Sequence, residues 1–181
     1  MPKTLTETPG TALHGRWRDI LRDGAGRETG RSDIRPNAIV TDCRRILASF
    51  MAGSGGPGIE GMLFGSGVSA WDIGGAPPAT PAQVALVDPA PFLVPAADLV
   101  IDFVDDLGAV VAGPTNRLQI VATLGPGVPP WPDPGHVAGS LREFGLLGRI
   151  GAAPALINYV THPVINKDAA STLERTIWLV F

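Results

Sequence analysis

The sequence predicts a mainly β protein with one α-helix (α+β), folded as an antiparallel β-sandwich or a barrel-like domain. Short stretches in which apolar and polar residues alternate fill the second half of the chain, which is typical of strands. Loops rich in glycine and proline separate these stretches, with 23 glycines and 18 prolines among 181 residues. Only one segment has the three- and four-residue apolar spacing of a well-formed amphipathic helix. These features favour one layered β domain over alternating β and α units.

The chain divides into a predicted arm and one domain. Residues 1–14 are rich in threonine, proline and glycine and show no apolar periodicity, so we expect a flexible or docking arm there. Residues 15–181 hold the strand patterns and the helix pattern, and their number suits a single β-rich domain with its own core.

The domain is expected to begin with a β-hairpin. Residues 15–34 contain the turn signal Asp-Gly-Ala-Gly between two strand-like stretches. Because charged side chains on a hairpin usually face water, we expect Arg16, Arg18 and Asp19 to be exposed.

The helix is predicted near residues 41–52. Apolar side chains recur there at spacings of three and four, which forms one apolar stripe; its members are Ile39, Cys43, Ile46, Leu47 and Phe50. Thr41 is a candidate N-cap, and Gly53 stands where a C-terminal cap belongs. If the stripe faces the core, replacing Phe50 by alanine should cost about 3–5 kcal/mol.

The other elements are predicted from short apolar or alternating stretches. Residues 61–67 indicate a buried strand between glycines, and Thr80 followed by Pro81 predicts a short helix over 80–87. Five strand-like stretches follow, at 97–106, 116–127, 140–148, 155–168 and 171–181. In the last one, odd-numbered residues from Leu173 to Phe181 share one face, so we expect an ordered strand within the sheet.

Composition limits the classes of function. With 45% hydrophobic residues the chain is not generally disordered, and with 17% charged residues its surface is poor in charge, as in a subunit covered by neighbours. A net charge of −3 gives no basis for nucleic-acid binding. We expect no secretory signal, because the N-terminal stretch MPKTLTETPG is polar and has no apolar h-region. We expect no membrane span, because no apolar stretch reaches about 18 residues. The single cysteine, Cys43, suits a reducing cytoplasm.

Charge is unevenly distributed along the chain. Residues 51–140 hold one basic residue, Arg117, and eight acidic ones, whereas residues 1–50 hold nine basic and six acidic ones. Because patches of opposite charge steer contacts between proteins, this asymmetry could orient the chain in an assembly. The alternative is that the charges only face water.

The candidate interface residues are acidic and aromatic. Asp102, Asp105 and Asp106 belong to an acidic stretch that we expect to face solvent or a partner. Clustered carboxylates would also suit a calcium ion, but the residue order of a calcium-binding loop is missing. Trp71 and Trp131 are expected to pack at an interface, with a sugar-binding platform as the alternative.

No arrangement of residues predicts catalysis, a metal or a cofactor. The three histidines, His14, His136 and His162, lack the spacing of metal ligands. The glycine-rich stretch 53–58 has no Lys-Ser/Thr after it, so it does not match a phosphate-binding loop. A small hydrolase that uses a carboxylate pair is an alternative, but no particular pair is indicated.

Several stretches occur in the same order as in one family. They are RPNAIVTDCRRILASFMAG, GMLFGSGVSAWD, PPATPAQVALV, SLREFGLLG and ALINYVTHPVINKDAASTLERTIWLVF. In this order they resemble proteins of phage tails and related contractile injection systems that lie at the baseplate or fibre attachment site. The likeness spans residues 15–181 and is best over 36–87 and 140–181. GSG at 65–67 replaces the family's Gly-Thr-Gly turn, and the middle (88–135) is longer and richer in proline.

The resemblance implies a non-enzymatic structural subunit of a phage tail or contractile injection particle, at the baseplate, cap or fibre attachment site. It implies other tail, baseplate or injection-particle subunits as partners, and a homo-oligomer of three- or six-fold symmetry. The chain would be made in the bacterial cytoplasm and found in the assembled particle. The alternative is an adhesive module of such a particle that binds a glycan or receptor.

Overall fold

The structure, a computed structural model, describes residues 13–181. Most of the predicted arm lies outside this range, and His14 already belongs to the first strand. The elements are β1 (His14–Arg22), β2 (Glu28–Arg31), β3 (Arg35–Ile39), α1 (Thr41–Met51), β4 (Gly61–Gly65), α2 (Trp71–Gly74), β5 (Phe92–Pro95), a 3₁₀ turn (Ala96–Asp98), β6 (Leu99–Val104), β7 (Val110–Val111), β8 (Arg117–Leu124), β9 (Ser140–Ile150), β10 (Ala153–Leu156), β11 (Asn158–Asn166) and β12 (Thr172–Val180).

Antiparallel pairing joins the strands into one curled sheet, a half-barrel. The main path runs β5-β4-β9-β11-β3-β1-β12-β8-β6-β7, with β10 beside β9 and β2 beside β1. The predicted mainly β fold with one main helix is confirmed. Because the sheet does not close on itself, β5 lies at one edge and β6 with β7 at the other.

The last strand, β12, lies in the middle of the sheet. It pairs along its whole length with β1 on one side and β8 on the other. The predicted alternation is confirmed, since Leu173, Ile177 and Leu179 are buried, together with Arg175. Full burial of each such aliphatic side chain stabilises the fold by about 1.5–3 kcal/mol. The C-terminal strand is therefore part of the core.

Helix α1 packs against β9 and β10, but it begins differently from the prediction. Ile46 is buried, whereas Phe50, at the end of the stripe, is 40% exposed. Val40 rather than Thr41 is the N-cap residue, and no side chain caps the helix. The amide of Thr41 donates instead to the carbonyl oxygen of Pro81 at 2.8 Å. A tertiary contact thus satisfies an amide that a capping side chain would otherwise satisfy.

The predicted helix over residues 80–87 does not form. The segment is irregular, and the short helix of this region is α2, which lies before it in the chain. The amides of Val87 and Asp88 donate to the carboxylate of Glu143 at 3.0 and 2.6 Å. These bonds to a buried side chain on β9 use amides that a helix would need for its own ladder.

The first hairpin is present as predicted, but only Arg16 of its three charged residues expected at the surface is fully exposed. Arg16 is exposed and Arg18 is half-buried, whereas Asp19 is buried, with 4% exposure. Asp19 shares its face of β1 with buried Trp17, because side chains alternate along a strand. A buried carboxylate needs a buried partner, and Arg175 supplies it.

Candidate functional site

Strand β6, at one end of the sheet, presents apolar side chains to solvent. β8 pairs with it along Leu99–Phe103, while β7 covers only Phe103 and Val104 on its other side. Within residues 13–181, no further strand pairs there. We call this surface the β6 edge; its exposed apolar residues are Val100, Ile101, Phe103, Leu107 and Val110.

Both faces of the β6 edge are apolar. Val100 lies on one face and is 57% exposed, while Ile101 lies on the other and is 39% exposed. Leu107, at the tip of the turn to β7, is 94% exposed. A strand edge with exposed apolar side chains is typical of a surface that another chain covers.

The three predicted interface aspartates lie at this edge. Asp102 is half-buried on β6. Asp105 accepts hydrogen bonds from two amides of the turn to β7, at 2.9 and 2.8 Å, so it also shapes that turn. Asp106 pairs with Arg117 at 2.8 Å, and its side chain is 86% exposed. The structure therefore brings these carboxylates together beside the apolar residues.

The opposite edge of the sheet is protected by proline. β5 pairs only with β4, ends at Pro95 and follows Pro89 and Pro91 closely. Proline has no amide hydrogen to donate, so it is common on edge strands, where it hinders pairing with a further strand. β6 contains no proline. The two edges therefore differ in their readiness to pair with another strand.

The two predicted interface tryptophans lie on other elements. Trp71 is half-buried in α2, next to Asp72, whose carboxylate binds Arg142 at two points. Trp131 is half-buried in the loop between β8 and β9, where its ring stacks on the imidazole of His136 at 3.9 Å between centroids. Neither belongs to the β6 edge.

His136 joins loops through both ring nitrogens. Nδ1 lies 2.7 Å from Asp133 Oδ1, and Nε2 lies 3.0 Å from Asp88 Oδ2. Asp88 also accepts the amide of Ser66 at 2.7 Å. Burial acts to raise the pKa of Asp88, but the bonds from Ser66, Ala90 and His136 outweigh it and lower that pKa below its usual value. The network fixes the loops around the proline-rich segment.

Arg175 is a fully buried cation. Its guanidinium donates to Asp19 at 2.7 and 2.6 Å and packs over the Phe144 ring, 3.9 Å from the centroid. His162 Nδ1 donates to the carbonyl of Pro163, so its Nε2 accepts from Arg175 at 3.1 Å. Burial, followed by the charge of Arg175, lowers the pKa of His162 to about 3 and keeps the ring neutral.

Glu143 is a second buried anchor. Besides the amides of Val87 and Asp88, its carboxylate accepts the hydroxyl of Tyr159 at 2.5 Å. Burial and then this bond raise the pKa of Tyr159 far above its usual value, so the hydroxyl remains a donor. Glu143 thus connects β9, β11 and the loop before β5.

Two of the concave regions on the sheet bear on function. The first, which we name the β2–β11 cleft, has a volume of about 320 Å³ and is lined by residues of both strands and by Trp17. The second, which we name the outer-face hollow, has a volume of about 490 Å³ and is lined by Trp178 with Arg16 and Arg18. Nε1 of Trp178 donates to Gln119 Oε1 at 2.9 Å, which fixes its ring.

No group of three or more His, Cys, Asp or Glu side chains in the described range is arranged to hold a metal ion. No helix of residues 13–181 is long and apolar enough to cross a membrane.

No protein-family model, curated protein or solved structure matches the chain.

The buried polar networks were not predicted from the sequence. One feature of the sequence could have indicated them, namely charged residues at positions that the apolar alternation assigns to the buried face. Arg175 stands between Leu173 and Ile177 on that face of β12, and Asp19 follows Trp17 on the same face of β1. A charged residue in a buried register requires a buried partner. Which residue that partner is depends on strand pairing, which periodicity does not determine.

Proposed function

We propose that the chain is a non-enzymatic structural subunit of a multi-subunit particle, of the kind that forms phage tails and contractile injection systems. It binds neighbouring subunits at the baseplate, cap or fibre attachment site, in a homo-oligomer of three- or six-fold symmetry. The β6 edge is the observation that supports this proposal most strongly.

The β6 edge suits a contact with another subunit for three reasons. Within the described residues, the main chain of Leu99–Asp102 has no strand partner on its outer side, so the amides and carbonyls that point away from β8 are available to a neighbour. Apolar side chains such as Val100 and Ile101 would lose water on contact, at about 25 cal/mol per Å² of apolar area. The carboxylates of Asp102 and Asp106 favour a partner surface of positive charge.

The buried polar groups hold parts of the fold together, which supports an architectural role. Glu143 and Arg175 are fully buried and join strands far apart in sequence. His162 lines the β2–β11 cleft, but both its ring nitrogens take part in hydrogen bonds within the fold. A general base needs a nitrogen that reaches its substrate, and this ring has none to offer in that arrangement.

Particle isolation tests the proposal. The wild-type chain, produced with its encoding genome, should co-sediment with purified tail-like or injection particles. Ile101→Arg, which places a charge on the β6 edge, should remove the chain from the particles. The matched control Thr123→Arg changes an exposed residue on neighbouring β8 and should leave incorporation unchanged. Absence of the wild-type chain from every particle fraction would contradict the proposal.

A second candidate, an adhesive module of such a particle, is favoured by the outer-face hollow. Trp178 there is held by Gln119, and the Arg18 guanidinium carbon lies 5.5 Å from its ring centroid. The lining also includes Asp105 and Asp106, and an aromatic ring with polar groups of both charges beside it suits a sugar. Binding of glycans that is lost in Trp178→Ala, with incorporation into particles unchanged, would favour this candidate. Binding lost instead in Trp71→Ala or Trp131→Ala would favour the tryptophans singled out from the sequence.

A further inference from the structure

The sheet splits beside β1, and the split forms the β2–β11 cleft. β1 pairs with β3 along Gly15–Trp17 and with β2 from Ile20 onward. β11 pairs with β3 only at Asn158 and Tyr159. Beyond these positions β2 and β11 lie on either side of a gap, and within residues 13–181 no strand fills it.

The lining of the cleft suits an extended peptide. Apolar side chains of Trp17, Leu21, Ile165 and Leu173 contribute to it, and its volume of about 320 Å³ falls in the range of pockets that bind ligands, roughly 300–1,000 Å³. The carboxylate of Asp19, which also lines it, is already bound by Arg175. The lining therefore offers apolar contact without an unsatisfied buried carboxylate.

Main-chain groups border the cleft on two sides. β2 is paired only with β1, and residues 160–166 of β11 have no ladder partner on the side away from β9 within the described chain. An added strand in the gap could pair with either border, which is the mode of recognition known as β-augmentation. This requirement for main-chain pairing favours a peptide over a compact small molecule.

The sequence of residues 1–12 matches this site. Thr4-Leu5-Thr6-Glu7-Thr8 is rich in β-branched residues, and as a strand it would place Leu5 and Glu7 on one face. The cleft is lined by apolar residues and by Arg31 and Arg35. Arg31 is already paired with Glu28 at 2.7 Å, so Leu5 has apolar contacts available and Glu7 has Arg35 as its partner of opposite charge.

We infer that residues 1–12 of one copy dock as an added strand in the β2–β11 cleft of a second copy. Fully extended, twelve residues span up to about 40 Å, which is enough to reach a neighbouring subunit. The choice of a second copy as the donor rests on the proposed function. Once two copies are joined at another contact, the tether raises the local concentration of the arm at the neighbouring cleft, so a modest contact is sufficient to hold it there.

Cross-linking between two variants of the full chain tests the inference. Thr6→Cys places a thiol in the arm of one variant, and Val164→Cys places one in the cleft of the other. The mixed variants are treated with a short bis-maleimide cross-linker. The native Cys43 is buried and its pKa is raised to about 11, so it reacts poorly. The control pair combines Thr6→Cys with Thr123→Cys, which is exposed on β8.

Filling the cleft gives a second, independent readout. A β-carbon added at Gly30 would lie 3.8 Å from the β-carbon of Leu21, an ordinary contact, so Gly30→Phe fills the cleft without backbone strain. Gly113→Phe is the matched control, since no atom lies within 4 Å of a β-carbon added there. We expect Gly30→Phe in the Val164→Cys partner to lower the cross-linked yield by about tenfold or more, and Gly113→Phe to leave it unchanged.

The outcomes separate this inference from the proposed function. A cross-linked dimer from the arm and cleft variants, well above the control pair and lost on filling the cleft, supports docking. Equal yields with Thr123→Cys, or a cross-link only when both cysteines are in one chain, overturns it. If the chain enters particles but no arm-to-cleft product forms, docking is wrong while the proposed function stands. If the product forms but the chain enters no particle, docking is supported while the proposed function is wrong.

Discussion

Arg175 on β12 lies directly opposite Asp19 on β1, and the two side chains form a two-point ion pair inside the core. The pair connects residues 156 positions apart, so it ties the first hairpin to the C-terminal strand. The neutral ring of His162 accepts a further bond from the same guanidinium. Within a buried pair, each charge depends on the other for compensation.

Removing one member of this pair should destabilise the fold strongly. Asp19→Asn leaves the Arg175 guanidinium buried without its counter-charge, so we expect a loss of about 3–5 kcal/mol in the free energy of unfolding. Denaturant unfolding measures it. Arg16→Met, at an exposed position of the same strand, is the control and should change stability by less than about 0.5 kcal/mol.

The double variant Asp19→Leu/Arg175→Met should lose less stability than the sum of its two single variants. Replacing both charges removes the cost of leaving either one uncompensated. Additive losses in a double-mutant cycle would show that the pair is not coupled.

His162 should make stability depend on pH below neutrality. Burial lowers its pKa in the fold to about 3, whereas in an unfolded chain it is near 6.5. Between these values the unfolded chain binds more protons, so the stabilising contribution is complete above about pH 6.5 and declines by up to about 1.4 kcal/mol per pH unit below it. Denaturant midpoints measured between about pH 7.5 and 4.5 should fall in the wild type. His162→Gln, which keeps an acceptor for Arg175, should give a shallower decline, and an equal slope would exclude this histidine as the cause.

Phe50→Ala should cost little compared with Ile46→Ala. Phe50 is 40% exposed at the end of the α1 stripe, whereas Ile46 is buried. We expect about 1 kcal/mol for Phe50→Ala rather than the 3–5 kcal/mol of a buried phenylalanine, and about 2–5 kcal/mol for Ile46→Ala. Both losses come from chemical unfolding curves. A cost for Phe50→Ala as large as that for Ile46→Ala would mean that the end of the stripe is covered.

Deleting Val180 and Phe181 should lower the melting temperature by several degrees. Val180 ends the pairing of β12 with β1 and β8, and Phe181 exchanges hydrogen bonds with Asn116. Deleting them removes the last pairs of β12 with β1 and with β8, so the end of this central strand loses its hydrogen bonds. Thermal unfolding followed by circular dichroism measures the change, and an unaltered melting temperature would contradict the central place of this strand end.

Strand patterns determined more of the fold than of the candidate site. The alternation of β12 predicts the burial of Leu173 and Ile177 because period-two patterning acts locally. The helix expected over residues 80–87 does not form; Glu143 holds the Val87 amide and the Pro81 carbonyl accepts the Thr41 amide, and both contacts are set by tertiary structure. The 155–168 stretch divides into β10 and β11 at Ile157, because the Leu146 amide donates to the side chain of Asn158 at 2.7 Å and the register with β9 shifts by one residue beyond this point.

The candidate site, like the fold, could be predicted from the sequence only in part. The acidic residues on and just after β6 are visible in the sequence, and one hairpin carries all three of them, Asp102, Asp105 and Asp106. That β6 lies at an unguarded edge depends on the order of strands in the sheet, which requires pairings distant in sequence. The split between β2 and β11 likewise exists only in the assembled sheet. Local periodicity carries no information about either feature.

The mass of the purified chain in solution, measured by light scattering, tests the central claim most directly. We predict a wild-type mass of a closed oligomer, three or six copies, that Ile101→Arg reduces to a single copy while Thr123→Arg leaves it unchanged. Matching unfolding midpoints for the two variants would establish that both are folded. A wild-type chain that stays a single copy at every concentration, or an Ile101→Arg variant with the wild-type mass, would contradict assembly through the β6 edge.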